Sequence, residues 1–258
     1  MAKPQPDREA DVPVQRLRVR YAKRGRLRFV SHRDFQRALE RALRRAGVPV
    51  AFSGGFSPRP RISYAGAAPT GAASEAEYFE VSVTERVDPE TIRLRLDASL
   101  PDGLDAVAVI EAPPGAPGLA DLLVASRWEI VLPGVDESEL AGAVDAFLAA
   151  ETVEVERMTK KGLRRFDARA AVARGAVRAG PARSGDGSGG LCAILDLVVR
   201  HGTPAVRPDD VLTGLRDLTG LQPPSPAEVT RLTQGPWDDE SGEMLDPFAP
   251  LTGAPRGT

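Results

Sequence analysis

A chain of 258 residues with 42% hydrophobic and 27% charged side chains has the composition of an ordinary globular protein and length for about two cores. No apolar run approaches the ~18 residues of a membrane span, and the polar start MAKPQPDREADVP lacks the apolar region of a signal peptide, so a cytoplasmic location is expected. Cys192 is the one cysteine; an internal disulfide, an all-cysteine zinc site and a three-cysteine iron–sulfur cluster built from this chain alone are excluded, and no metal or cofactor is expected.

In chain order, residues 1–13 read as a disordered arm rich in Pro, Asp and Ala. A basic domain is expected over 14–112. From Gln15 to Arg61 there are thirteen arginines and Lys23 against Asp34 and Glu40, a net +12 in a chain whose total is −2. Such polarisation marks a surface for an anion, nucleic acid first. Arg16, Arg18 and Arg20 alternate with Leu17, Val19 and Tyr21, the period of a strand with one face on a core and one presenting guanidinium groups. Arg24-Gly25 is a turn, and Leu27–Val30 a second extended piece. The period then becomes helical. Phe35, Ala38, Leu39, Ala42, Leu43 and Ala46 share one side, Arg33, Arg37, Arg41 and Arg44 the other. Ser31 with Asp34 gives the capping pattern at the start, and Gly47 closes the helix.

A short strand at Val48–Phe52, a long Gly/Pro loop with a strand near Arg61–Ala65, a strand at Glu77–Thr84, a helix begun by Asp88-Pro89, and a strand at Ala106–Ile110 complete the first domain. The order strand, helix, strand, strand, helix, strand is that of a ferredoxin-like α+β sandwich. Its open face would present the strand arginines. Residues 113–125, opening on PPGAPG, read as a linker. Residues 126–234 repeat the order more loosely, with strands at Arg127–Leu132, Val153–Met158, Arg164–Ala173, Leu191–Val199 and Val229–Thr233, helices at Glu137–Ala150 and Pro208–Leu218, and a flexible loop at Gly180–Gly190. Residues 235–258 read as a disordered acidic tail. The fold expected is therefore α+β, two tandem ferredoxin-like units with flexible ends.

Ser31, His32 and Asp34 have the side chains of a nucleophile, a base and an orienter, yet neighbours at a helix start project in different directions, and a triad needs them in a hydrogen-bonded line. Capping accounts for Ser31 and Asp34. His32, at a positive helix end among arginines, is expected to favour the neutral form. In the loop from Phe52 to Arg61, Gly54 and Gly55 permit close approach, Phe56 can stack on a base, and Arg59 and Arg61 can fork onto phosphate. The candidate nucleic-acid-binding set is Arg18, Arg20, Lys23, Arg33, Arg37, Arg41, Arg44, Gly55, Phe56, Arg59 and Arg61. Lys160, Lys161, Arg164 and Arg165 form a second basic hairpin. Each cationic stretch has a plainer explanation too, as a solvated face or as arginines neutralised across a sheet by Glu77 or Glu80. No Walker loop, dinucleotide fingerprint or metal-ligand spacing is present.

The run from Arg20 to Val81, RYAKRGRLRFVSHRDFQRALERALRRAGVPVAFSGGFSPRPRISYAGAAPTGAASEAEYFEV, resembles the radical-SAM-linked protein family, a bacterial domain of unknown function often fused to or encoded beside a radical SAM enzyme. The residues that carry the resemblance are Ser31-His32, Asp34, Arg44-Arg45-Ala46, Gly55-Phe56, Pro58, Pro60, Pro69, Gly71, Ser74 and Glu77. Arg59 stands where relatives often have His. With Cys192 alone in this chain, any radical chemistry that the resemblance implies would belong to a separate chain. Three readings stand at this stage: an RNA-binding or accessory protein that presents RNA to such an enzyme, with no intrinsic activity; a metal-independent endoribonuclease using His32; and an interaction module whose arginines meet an acidic protein.

Overall fold

The computed structural model describes residues 9–159, 162–181 and 192–249. Among these the chain is mixed α/β, with twelve strands and five α-helices. It divides into two compact units, one ending at Leu122 and rejoined from Asp246 onward, the other Leu123–Leu245.

The first unit runs β1 (Gln15–Lys23), α1 (His32–Arg45), β2 (Ile62–Ala65), β3 (Ala73–Val83), α2 (Pro89–Asp97), β4 (Leu104–Glu111) and the one-turn α3 (Leu119–Leu122). Its strands lie in the order β4-β1-β3-β2, every pair antiparallel. Alternation in β1 sends Leu17, Val19 and Tyr21 into a core with Phe79 and Val81 of β3, and α1 closes it with Phe35, Leu39, Ala42 and Leu43. Tyr21 stacks on Phe35 at 4.7 Å between ring centroids, which fixes α1 against the strand. Both helices start on side-chain caps: Ser31 Oγ accepts from the Asp34 amide at 3.2 Å, and Asp88 from the Thr91 amide at 2.8 Å.

The second unit runs β5 (Ala125–Pro133), α4 (Glu137–Ala149), β6 (Glu154–Thr159), β7 (Gly162–Asp167), β8 (Val172–Ala179), β9 (Cys192–Arg200), α5 (Pro208–Thr219), β10 (Glu228–Gly235), β11 (Trp237–Asp238) and β12 (Glu243–Met244). The order β10-β5-β9-β8 is again antiparallel throughout, while β6 and β7 form a separate hairpin. Cys192 is buried, as its apolar run implies. Helix α5 approaches its neighbours through Gly214, where an added Cβ would lie 2.9 Å from both Phe147 and Val153. Overpacking of that kind costs about 1–3 kcal/mol. Gly214→Ala is thus expected to lower stability by that amount, read as a lower urea midpoint, against the small gain that alanine normally brings inside a helix.

Several expectations need correcting. Residues Gly25–Phe29 form a 3-10 turn instead of an extended piece, because Gly25 takes φ 54° and the chain must reverse before α1. Residues 48–52 make only isolated bridges, Val50 to Val83 and Phe52 to Pro60. The expected linker contains α3, held by buried Leu119. The strand expected over 164–173 is split: β7 ends at Asp167, a 3-10 turn covers Arg169–Ala171, and β8 begins at Val172. Residues 235–249 are ordered, not a disordered tail. Asp238 accepts from the Glu240 amide at 3.0 Å and the Ser241 hydroxyl at 2.8 Å, closing the β11–β12 turn, and Phe248 is buried edge-on to Tyr78 at 5.4 Å. Asp246 likewise accepts from the Phe248 amide at 2.9 Å. In the expected arm, Asp11 exchanges hydrogen bonds with the Phe52 backbone at 3.1 and 2.8 Å. Residues 1–8, most of the Gly180–Gly190 loop, residues 250–258, and Lys160 and Lys161 lie outside the described residues.

Candidate nucleic-acid interface

The arginines of β1 do not form an open cationic face. Arg18 is 0% exposed: its Nε donates to Glu80 Oε1 at 2.7 Å, and Nη2 donates to the Pro117 carbonyl. The register that sets Arg18 opposite Glu80 on β3 brings the carboxylate to it, and desolvation of the pair makes that neutralisation obligatory. Arg20 is half-buried, with a buried Nε that has no hydrogen-bond partner. Lys23 is buried and already has a partner within the fold. Arg18 and Lys23 leave the accessible set, and Arg20 stays partly exposed.

The helix face behaves differently. Phe35, Leu39, Ala42 and Leu43 are spent on the core, so the 3.6-residue period turns Arg33, Arg37, Arg41 and Arg44 to solvent, and all four are exposed. Consecutive members are three or four residues apart and lie side by side on the surface. Arg37 has a long contact to Asp34 at 3.8 Å. Among the described residues Arg33, Arg41 and Arg44 have no carboxylate oxygen within 4.0 Å, and the same holds for exposed Arg59 and Arg61.

The loop carrying the last two is pinned at its base. Ser53 N donates to the Arg59 carbonyl at 2.9 Å, the Arg59 amide returns a bond to Ser53 Oγ at 3.0 Å, and Arg61 N donates to the Ala51 carbonyl at 2.8 Å. With both ends fixed, Gly55 at φ 95° makes a turn that L side chains rarely adopt. Phe56 is pushed outward and is 77% exposed. An exposed aromatic ring on the same loop as the unpaired Arg59 and Arg61 gives that loop the two elements of a single-strand binder, a stacking platform and phosphate contacts. Phe29, 59% exposed, repeats the combination on the turn before α1, with the Arg28 guanidinium 4.8 Å from its ring centroid.

His32 opens α1 and is exposed. Its Nε2 lies 3.1 Å from the Gln36 amide nitrogen, and its ring meets Tyr64 edge-on at 5.1 Å. The Ser31 hydroxyl donates to Asp34 Oδ2 at 2.7 Å; serine and aspartate are bonded to each other, and the histidine is bonded elsewhere. Burial pushes the Tyr64 hydroxyl above its ordinary pKa, and the Glu40 carboxylate pushes it further, so Tyr64 is a neutral wall for His32 at any physiological pH.

The helix and the loop also share a cavity of about 350 Å³, bounded by Glu40, Leu43 and Arg44 of α1, the chain from Val48 to Phe52, and Pro60 and Ile62. No sequence signal marked it, because its walls come from three separate stretches whose meeting depends on the bridge between Phe52 and Pro60.

Fold and site together define a mixed α/β protein whose first unit carries an unneutralised cationic helix face beside an aromatic loop. Over residues 16–208 it matches the family described as "Uncharacterized protein conserved in bacteria (DUF2344)", and the chain belongs to that family. No curated protein matches it. No helix of the described residues is long and apolar enough to cross a membrane.

Proposed function

We propose that the protein is an RNA-binding accessory factor: the exposed face of α1 tracks the phosphates of a single strand, and the Ser53–Arg61 loop stacks on its bases. The observation that carries this reading is the set of five exposed guanidinium groups without a carboxylate neighbour, Arg33, Arg41 and Arg44 on α1 and Arg59 and Arg61 on the loop that also exposes Phe56. An unpaired surface cation gives nothing to the fold, whereas several on one face raise the local concentration of a polyanion. We further read the strand order shared by the two units as ferredoxin-like, and we propose that the chemistry performed on the bound RNA belongs to a radical SAM enzyme on a separate chain.

The test is binding of a fluorescein-labelled single-stranded RNA by anisotropy. Phe56→Ala is expected to weaken binding roughly 5- to 150-fold, the range for losing one base stack, with a nearly unchanged unfolding midpoint because the residue is 77% exposed. Equal affinity of the variant and the parent protein would remove the loop from the interface. Binding only to an acidic protein, with no RNA affinity, would make the face an interaction module instead.

A further inference from the structure

We infer that the cavity beside α1 is a guanine-nucleotide pocket, in which the base lies against the apolar walls, Glu40 reads its donor edge, and Arg44, Arg59 and Arg61 hold its phosphate. The volume of about 350 Å³ lies in the range of small-ligand sites, roughly 300–1,000 Å³. Leu43, Val48, Val50, Phe52 and Ile62 supply apolar walls, suited to a flat ring system. The charged groups are confined to one side. Glu40 and Arg44 are separated by four residues on α1, the spacing that ordinarily forms an ion pair, yet they are not within 4.0 Å of each other, and Glu40 accepts no hydrogen bond among the described residues. Pro60 lines the cavity between exposed Arg59 and Arg61. The cavity wall therefore offers the Arg44 guanidinium and the Glu40 carboxylate, neither bonded among the described residues, with Arg59 and Arg61 exposed on either side of lining residue Pro60.

A complementary ligand needs an apolar body, an anionic group, and donors for a carboxylate. Inorganic phosphate would leave the walls empty, and an aliphatic carboxylate would leave Glu40 facing a second negative charge. A nucleotide supplies all three features. Among the four RNA bases, guanine presents two adjacent donors on its pairing edge, N1–H and the N2 amine, which match the two oxygens of a carboxylate in a bidentate bond; the pairing edges of adenine, cytosine and uracil each offer donors at one position only. Guanine within a strand rests on the RNA-binding reading above, while a free guanine nucleotide does not.

The experiment compares labelled oligouridine carrying one central G, the same strand with A, and plain oligouridine, with GMP and AMP as competitors. One G is expected to tighten binding roughly 10-fold over A, within the range for one good bidentate base contact. Glu40→Gln, an exposed helix position, is expected to erase that difference without weakening oligouridine binding. GMP should displace the G strand, and AMP should not. RNA binding with no preference for G would overturn the pocket and leave the RNA reading standing. GMP binding that Glu40→Gln weakens, without affinity for any strand, would assign the pocket to the free nucleotide and overturn the RNA reading. Binding of neither would overturn both.

Discussion

Arg18→Met is expected to destabilise the first unit by about 3–5 kcal/mol, the cost of breaking a buried ion pair by removing one member. With Arg18 gone, Glu80 keeps only the Arg16 Nε at 3.7 Å, and the Pro117 carbonyl loses its donor. Most of the penalty is the desolvation of a stranded carboxylate, not the loss of attraction. The double variant Arg18→Met/Glu80→Met should therefore recover most of the stability, since replacing a whole buried pair by apolar side chains is often neutral. The check is the urea midpoint of all three proteins. A single variant costing less than about 1 kcal/mol, the value of a surface pair, would mean that Arg18 is hydrated.

The second large effect lies on α1. Arg33→Glu/Arg41→Glu reverses two exposed, unpaired cations and leaves Arg44 and the cavity untouched. Glu at position 33 falls in the first turn, where the helix dipole favours an acid, and position 41 is solvated, so the fold should be retained. RNA affinity at low salt is expected to fall at least about 10-fold. Each phosphate contact on a single strand contributes about 0.7 to the slope of log K against log salt, and the loss of two should flatten it by about 1.4. A folded variant with parent affinity would reduce the stripe to a solvated face.

The two arginine stripes looked alike in the sequence and proved opposite in the fold. On α1 the amphipathic period decided the outcome locally: four apolar positions committed to the core leave the arginines no direction but outward. On β1 the period placed Arg18 correctly on the face opposite Leu17 and Val19, but whether that face is wet depends on Glu80 and Pro117, 62 and 99 residues away. Glu80 was one of the two cross-sheet neutralisers the sequence offered, and it is the one that meets Arg18; the cover by Pro117 had no local signal. The helix start was legible because Ser31 and Asp34 cap within one turn. The ordered acidic end was not, since its Asp238 turn and buried Phe248 depend on tertiary contacts that composition does not encode. The Gly55 and Phe56 loop was readable as a set of residue types, and the pinning by Ser53 that exposes Phe56 was not.

The most direct measurement is the affinity of the parent protein for a labelled single-stranded RNA as a function of salt. If Arg33, Arg41, Arg44, Arg59 and Arg61 each neutralise a phosphate, log K should fall linearly with log salt, with a slope near about −3.5 at about 0.7 per contact. A slope near zero, or no binding at low salt, would contradict the account.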